Sequence, residues 1–155
     1  MVPVTHRCWV EVSRRQIAEN FHAIRNAVGP SVEVMPVVKA DAYRHGAVEV
    51  SRVLSAEGAR WLAVSNVEEG VTLRQSGITA HILVMGDLLP FERPALIEYE
   101  LTPGIHSIGQ LRDYNRMAAA LDRPLRYHLK IDTGMGRLGL RDDHAAIVQA
   151  VLDAS

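Results

Sequence analysis

Glu33-Val34-Met35-Pro36-Val37-Val38-Lys39-Ala40-Asp41-Ala42-Tyr43 is the stretch that decides the fold. Its β-branched members Val34, Val37 and Val38 read as a buried parallel strand, and Lys39 stands at the carboxyl end, where α/β folds gather their chemistry. An amine walled by apolar neighbours is a candidate nucleophile, because its neutral form condenses with an aldehyde to give a Schiff base. The same lysine could instead snorkel from the strand end into water. The flanking sequence has to decide between the two.

Outward from this strand, strand-like and helix-like segments alternate from Trp9 to the end, the pattern of a parallel α/β sheet. Trp9-Val10-Glu11-Val12 reads as a short opening strand. Ser13 and Gln16 form a capping-box pair ahead of Ile17, Phe21, Ile24 and Val28 on one helical face, and Gly29-Pro30 stops that helix. After the lysine strand, Ala47, Val50, Val53 and Leu54 repeat at helical spacing up to Gly58. Trp61 to Ser65 is the next strand, and Asn66 with Glu69 caps a helix running to Gly77. His81 to Gly86 is a further strand, Pro90 opens a helix through Leu96 and Ile97, and Leu101 to Ile105 is a weaker strand because it contains Pro103. Ser107 with Gln110 then caps a helix carrying Ile108, Leu111, Tyr114, Ala118 and Leu121.

The last strand, Leu125 to Asp132, alternates. Leu125, Tyr127, Leu129 and Ile131 face one way, while Arg126, His128, Lys130 and Asp132 face the other. A polar face on such a strand suits either a polar lumen or an edge with one solvated side. Gly134-Met135-Gly136-Arg137-Leu138-Gly139 follows and spells G-x-G-x-x-G, the dinucleotide fingerprint. Against that reading, the next helix, with Ile147, Val148, Val151 and Leu152, starts only near Asp142, too late for its N-terminus to receive a pyrophosphate. One leading strand and about five βα units make a partial (β/α) barrel, since a closed one needs eight.

With 48% hydrophobic and 23% charged residues and a net charge of -1, the composition gives no bulk attraction to nucleic acid or to an anionic membrane. Cys8 is the single cysteine, which excludes an internal disulfide and favours a reducing compartment. Met1 to Arg7 lacks the apolar core of a signal peptide, and no apolar run is long enough to span a bilayer, so a cytoplasmic location is expected. The seven histidines are scattered without metal-ligand spacing, so no metal is expected.

Val37-Val38-Lys39-Ala40-Asp41-Ala42-Tyr43 followed by His45-Gly46 resembles the pyridoxal-phosphate attachment segment of bacterial alanine racemases. His128-Leu129-Lys130-Ile131-Asp132-Thr133-Gly134-Met135-Gly136-Arg137-Leu138-Gly139 resembles a second segment of the same family, in the right order. One residue departs: the family usually has glycine where Arg44 stands. The resemblance covers residues 1–155 as the N-terminal part of a fold type III barrel, before its last strands and the C-terminal β domain. It implies pyridoxal 5'-phosphate held by Lys39, which also acts as one of two bases, and a Tyr43 hydroxyl on the phosphate. It further implies Arg137 on the cofactor's phenolic oxygen and the substrate carboxylate, with Met135 lining the pocket. Lys130 matches a lysine that some members carbamylate; without that, Lys130 and Arg137 are two cations that need a nearby acid such as Asp132.

The implied activity is interconversion of L- and D-alanine for cell-wall synthesis by a homodimer. The second base would be a tyrosine on the partner subunit's C-terminal domain. A non-catalytic pyridoxal-phosphate carrier, an inactive fragment and a preference for serine over alanine stay open as alternatives. Unpaired strand edges predict self-association of the chain as it stands.

Overall fold

The computed structural model describes residues 8–154; the Met1 to Arg7 segment read above for signal-peptide character lies outside them. Four parallel strands stand in chain order, β1 (Trp61–Val64), β2 (His81–Val84), β3 (Thr102–Ile105) and β4 (His128–Leu129). The register pairs Trp61 with His81, Leu83 with Thr102 and Gly104 with His128. On the far side of β1 the lysine segment joins through one parallel bridge, Val37 to Ala63. Val38 N donates to Ala63 O at 2.8 Å, Ala63 N donates to Pro36 O at 2.9 Å, and Arg60 pairs with Glu33 at the segment's entrance.

The connecting helices are α1 (Arg14–Val28), the single turn α2 (Lys39–Arg44), α3 (Ala47–Ala56), α4 (Val67–Gln75), α5 (Arg93–Glu98), α6 (Ile108–Ala120) and α7 (His144–Asp153). Three of the starts carry the expected side-chain caps, in which Ser13, Asn66 and Ser107 accept from the backbone N–H three residues on. β3 keeps its place despite Pro103, which is fully buried and pairs with Val84; a proline removes one ladder donor only.

The sheet has two distinct faces, because strand residues alternate. Val38, Leu62, Val64, Ile82, Val84 and Ile105 are buried in the main core, with Tyr127 and Leu129 packed against it. The other parity carries Val37, Ala63, Leu83, Gly104, His128 and, two residues past His128, Lys130; the lysine segment leaves the extended conformation at Val38 (φ -116°, ψ 20°), so Lys39 stands at the carboxyl end, just past the bridge of Val37 to Ala63. Along a flat sheet β1 and β4 would lie roughly 14 Å apart, at about 4.8 Å per strand. Yet the Trp61 and His128 rings approach to 5.1 Å between centroids, with His81 at 4.7 Å from Trp61. The sheet is therefore curled with this second face inside, which makes it a partial barrel and makes the polar face of Leu125 to Asp132 a lumen face.

Four expectations are corrected. Val34 to Val38 is not a buried strand, since it pairs only at Val37, which is itself 39% exposed, and the last strand is His128–Leu129 rather than Leu125 to Asp132. Trp9 to Val12 forms no strand; Trp9 is 74% exposed and no described strand lies beside the segment to complete its hydrogen bonds. The apolar stripes of α1 and α7 also bury only in part, since Ile24, Val28, Val148 and Leu152 stay exposed while Phe21 and Ala150 are covered.

α2 is left-handed. Ala40, Asp41, Ala42 and Tyr43 have φ between 50° and 56° and ψ between 40° and 49°, and Arg44 follows at φ 70°. Each such residue other than glycine costs roughly 1–2 kcal/mol. Bonds from Ala42 N to Val38 O, His45 N to Ala42 O and Gly46 N to Asp41 O, with Ala47 N on the Asp41 carboxylate, close the turn. Arg44→Gly is expected to stabilise the chain by about 1 kcal/mol, the steric cost it removes. A higher urea midpoint at unchanged slope would verify this; a lower one would show that Arg44 makes compensating interactions.

Candidate active site

Lys39, Tyr43 and Lys130 all lie at the carboxyl end of the sheet. Lys39 opens the left-handed turn and is half-buried, while Tyr43, four residues on, is 58% exposed. Lys130 follows β4 on the lumen face, and its N–H donates to Ile105 O at 2.9 Å. Neither lysine ammonium makes an ion pair or hydrogen bond among the described residues. Just past β3, one residue beyond the pairing of Ile105 with Leu129, sits His106, only 8% exposed. Its Nε2 lies 3.2 Å from Gly86 O, and its Nδ1 is buried with no partner.

Met135 and Arg137 stand on the loop after β4, both exposed. The loop is organised by Asp132, whose side chain is 3% exposed. Its carboxylate accepts from Gly136 N at 3.1 Å, Gly134 N at 3.2 Å and Arg141 Nε at 2.6 Å. The loop returns onto its own strand through Asp132 N to Leu140 O at 2.9 Å and Leu140 N to Lys130 O at 2.8 Å. Gly139 permits this return: at φ 117° it has no room for a side chain, since a Cβ would meet Asp132 N at 2.9 Å and Lys130 Cγ at 3.1 Å. The three glycines thus serve a loop closed on an aspartate. α7 begins only at His144, capped by Asp143, so no helix N-terminus faces the loop.

This arrangement corrects one expectation. Asp132 is committed to Gly134, Gly136 and Arg141 rather than offered to Lys130 and Arg137, and Arg137 has no hydrogen-bond or ion-pair partner among the described residues. The signal for Arg141 was local, nine residues along and beyond the glycine turn, but only the folded loop brings the two together.

The Gly136 and Gly134 amides and then Arg141 hold the Asp132 carboxyl down at about 2, against an ordinary 3.8. A folded-state value below the unfolded one means stabilisation that is fully present above the ordinary value and is lost as pH falls through about 2. The protection of the Gly134 and Gly136 amides, taken as exchange relative to the intrinsic rate at each pH, is therefore expected to fall as pH drops from about 4 to about 2 in the unaltered chain. In Asp132→Asn that protection should be low already at neutral pH and constant across the window; high, titrating protection in the variant would contradict the assignment.

Glu69 is a site residue that sequence reasoning placed only as a helix cap. Its carboxylate reaches past Asn66 to Ser65 and across to Ala40, the residue after Lys39. Nothing in the local pattern signals that second reach, because Ala40 lies 29 positions earlier.

Residues 12–155 match the family model described as alanine racemase, N-terminal domain. The chain is 42% identical over 144 residues to the alanine racemase of Carboxydothermus hydrogenoformans, covering 93% of this chain and 39% of that protein. It is 42% identical over 137 residues to the alanine racemase of Synechocystis sp., covering 88% and 37%. The solved alanine racemase of Bacillus anthracis with bound L-Ala-P superposes with a TM-score of 0.82 at 31% identity, over 99% of this chain and 39% of that one. A histidine racemase from Leuconostoc mesenteroides, 23% identical with a TM-score of 0.79, shares the fold. The chain spans about two fifths of the length of the curated relatives it matches, 39% and 37% of the two named here.

Proposed function

The chain belongs to the alanine racemase N-terminal domain family, and on that premise we propose that it is the cofactor-bearing part of a pyridoxal-phosphate-dependent alanine racemase. The observation that carries the reading is the Lys39 amine, without a partner among the described residues, at the carboxyl end of a curled sheet, the end where Lys130 also lies. The donor set fits a phosphate-bearing aldehyde. Among the described residues there is an amine without an ion-pair partner, an exposed phenol four residues on, an orphaned imidazole nitrogen on His106 and an unpaired guanidinium on Arg137.

Pyridoxal phosphate, when bound, supplies the conjugated ring that takes up the electron pair left by proton removal. Lys39 would hold it, and the Lys39 amine would remove or return the α-proton on one side of the substrate. The Tyr43 hydroxyl would donate to the phosphate. Arg137 would grip the carboxylate of alanine with a fork of fixed donors and a permanent charge, which lysine could not match. Met135 would line the pocket. Carbamylation would turn Lys130 into an anion beside Arg137, a role that Asp132, paired with Arg141, leaves open. A carrier has no use for a carboxylate clamp, and the unpaired Arg137 favours the racemase reading over it. In the cell we expect a cytoplasmic enzyme, assembled from two copies, that provides D-alanine for the cell wall.

The test is deuterium uptake into D-alanine in deuterated water. Uptake should require pyridoxal phosphate and fall about a hundredfold or more in Lys39→Ala, the scale of a positioned base. Uptake equal to that of the unaltered chain in that variant would remove Lys39 from the chemistry.

A further inference from the structure

The Lys39 turn depends on a charge from another element. Ala40 N, the amide of the peptide that joins Lys39 to the left-handed run, donates to Glu69 Oε1 at 2.7 Å. The other oxygen, Oε2, accepts from Ser65 N and Ser65 Oγ, both at 2.8 Å. Ser65 is the residue immediately after β1, the strand to which the lysine segment is bridged. One carboxylate therefore ties the backbone that carries Lys39 to the carboxyl end of the neighbouring strand.

The carboxylate is itself held before the turn is considered. Glu69 lies in the first turn of α4, where a negative charge complements the helix dipole, and its own N–H is taken by the Asn66 cap at 2.9 Å. A helix cap needs no bond to Ala40. A run of left-handed alanine, aspartate, tyrosine and arginine does need something to hold it, because such residues strain without outside support. Hydrogen bonds to an ionised acceptor are roughly twice as strong as neutral ones. We propose that Glu69 is a positioning residue for Lys39: it fixes the turn from which the lysine departs, and so aims the amine at the lumen. The inference rests on the reading of Lys39 as the cofactor-holding amine.

Lys39 and Lys130 are the chain's two lysines, so Lys130 is an internal reference. Glu69→Ala removes both reaches, whereas Glu69→Gln keeps one acceptor oxygen and can serve Ala40 or Ser65 but not both. Two readouts are taken on each: amide exchange at Ala40 and Ser65, and the Lys39 to Lys130 ratio of borohydride-trapped pyridoxal phosphate. With circular dichroism unchanged, Glu69→Ala should speed Ala40 exchange and lower the ratio, each by about tenfold or more, the loss expected for a charge-assisted bond. Glu69→Gln should fall between. A ratio within about twofold of the unaltered chain, or faster exchange confined to α4 as for a cap alone, would overturn the proposal. If Glu69→Ala unfolds, Glu69→Gln decides by the same criteria. Absence of any Lys39 adduct in the unaltered chain would sink the cofactor reading instead, and Ala40 exchange would then judge the clamp: acceleration upholds it, an unchanged rate refutes it.

Discussion

Loaded with pyridoxal phosphate in deuterated water, the 155-residue chain is expected to exchange the α-hydrogen of D-alanine while inverting it some 10²–10⁴-fold more slowly than a polypeptide with both bases. Exchange needs one base, which can take a proton and return it to the same side. Inversion needs a second group on the opposite side, and the resemblance assigns that role to a tyrosine with no match in these residues. A single positioned acid or base is commonly worth that factor, which sets the size of the deficit. Following isotope content and chirality in one sample separates the two processes. Inversion keeping pace with exchange would show that these residues, alone or in a self-associated form, already supply the second base.

Arg74→Ala is expected to be the most destabilising of the single substitutions considered, by about 2 kcal/mol, from one buried and two half-buried carbonyls left without donors. The Arg74 guanidinium donates to Ile78 O at 2.6 Å, Ala80 O at 2.7 Å, Tyr99 O at 3.0 Å and, at the limit, Glu100 O at 3.5 Å. It thereby joins the end of α4 to the entrance of β2 and the end of α5, three places where backbone acceptors have left the regular ladders. Burial pulls its pKa down from the usual arginine value, but a guanidinium stays charged throughout the accessible range. Arg74→Lys should recover only part of the loss, because one ammonium cannot span four carbonyls in a planar fork. Urea unfolding of both variants checks this, and a change below about 0.5 kcal/mol in Arg74→Ala, the size of an ordinary surface substitution, would refute it.

What was legible in the sequence was local. The βα rhythm located β1 to β4, and the side chains of Ser13, Asn66 and Ser107 marked helix starts that the structure keeps. The alternation of Leu125 to Asp132 holds for Leu125, Tyr127 and Leu129, which pack against the core, and fails at its end, where Ile131 is exposed and the Asp132 side chain is covered; only the Trp61 to His128 contact showed that the His128 face is the inside of a curve. What was not legible depends on distant partners. Trp9 to Val12 has strand composition and no strand among the described residues to pair with. The left-handed geometry of Ala40 to Arg44 draws on Glu69 in α4, and no local rule would place alanine and tyrosine there. The departure of Arg44 from glycine flagged the loop, yet its outcome, an arginine at φ 70°, came from the fold around it. At the site, residue chemistry pointed to Lys39, and Tyr43, Lys130, Met135 and Arg137 came only from the resemblance to the family. The acids were harder to read, since a carboxylate has several possible partners within reach and only the folded chain chooses among them.

The central claim is that Lys39, at the mouth of the partial barrel, is the residue that carries the cofactor. Peptide mapping after borohydride reduction of the chain with pyridoxal phosphate tests it most directly, because only two lysines compete. The account predicts the reduced adduct on the peptide containing Lys39 with Lys130 unmodified, and an adduct on Lys130 with none on Lys39 would contradict it.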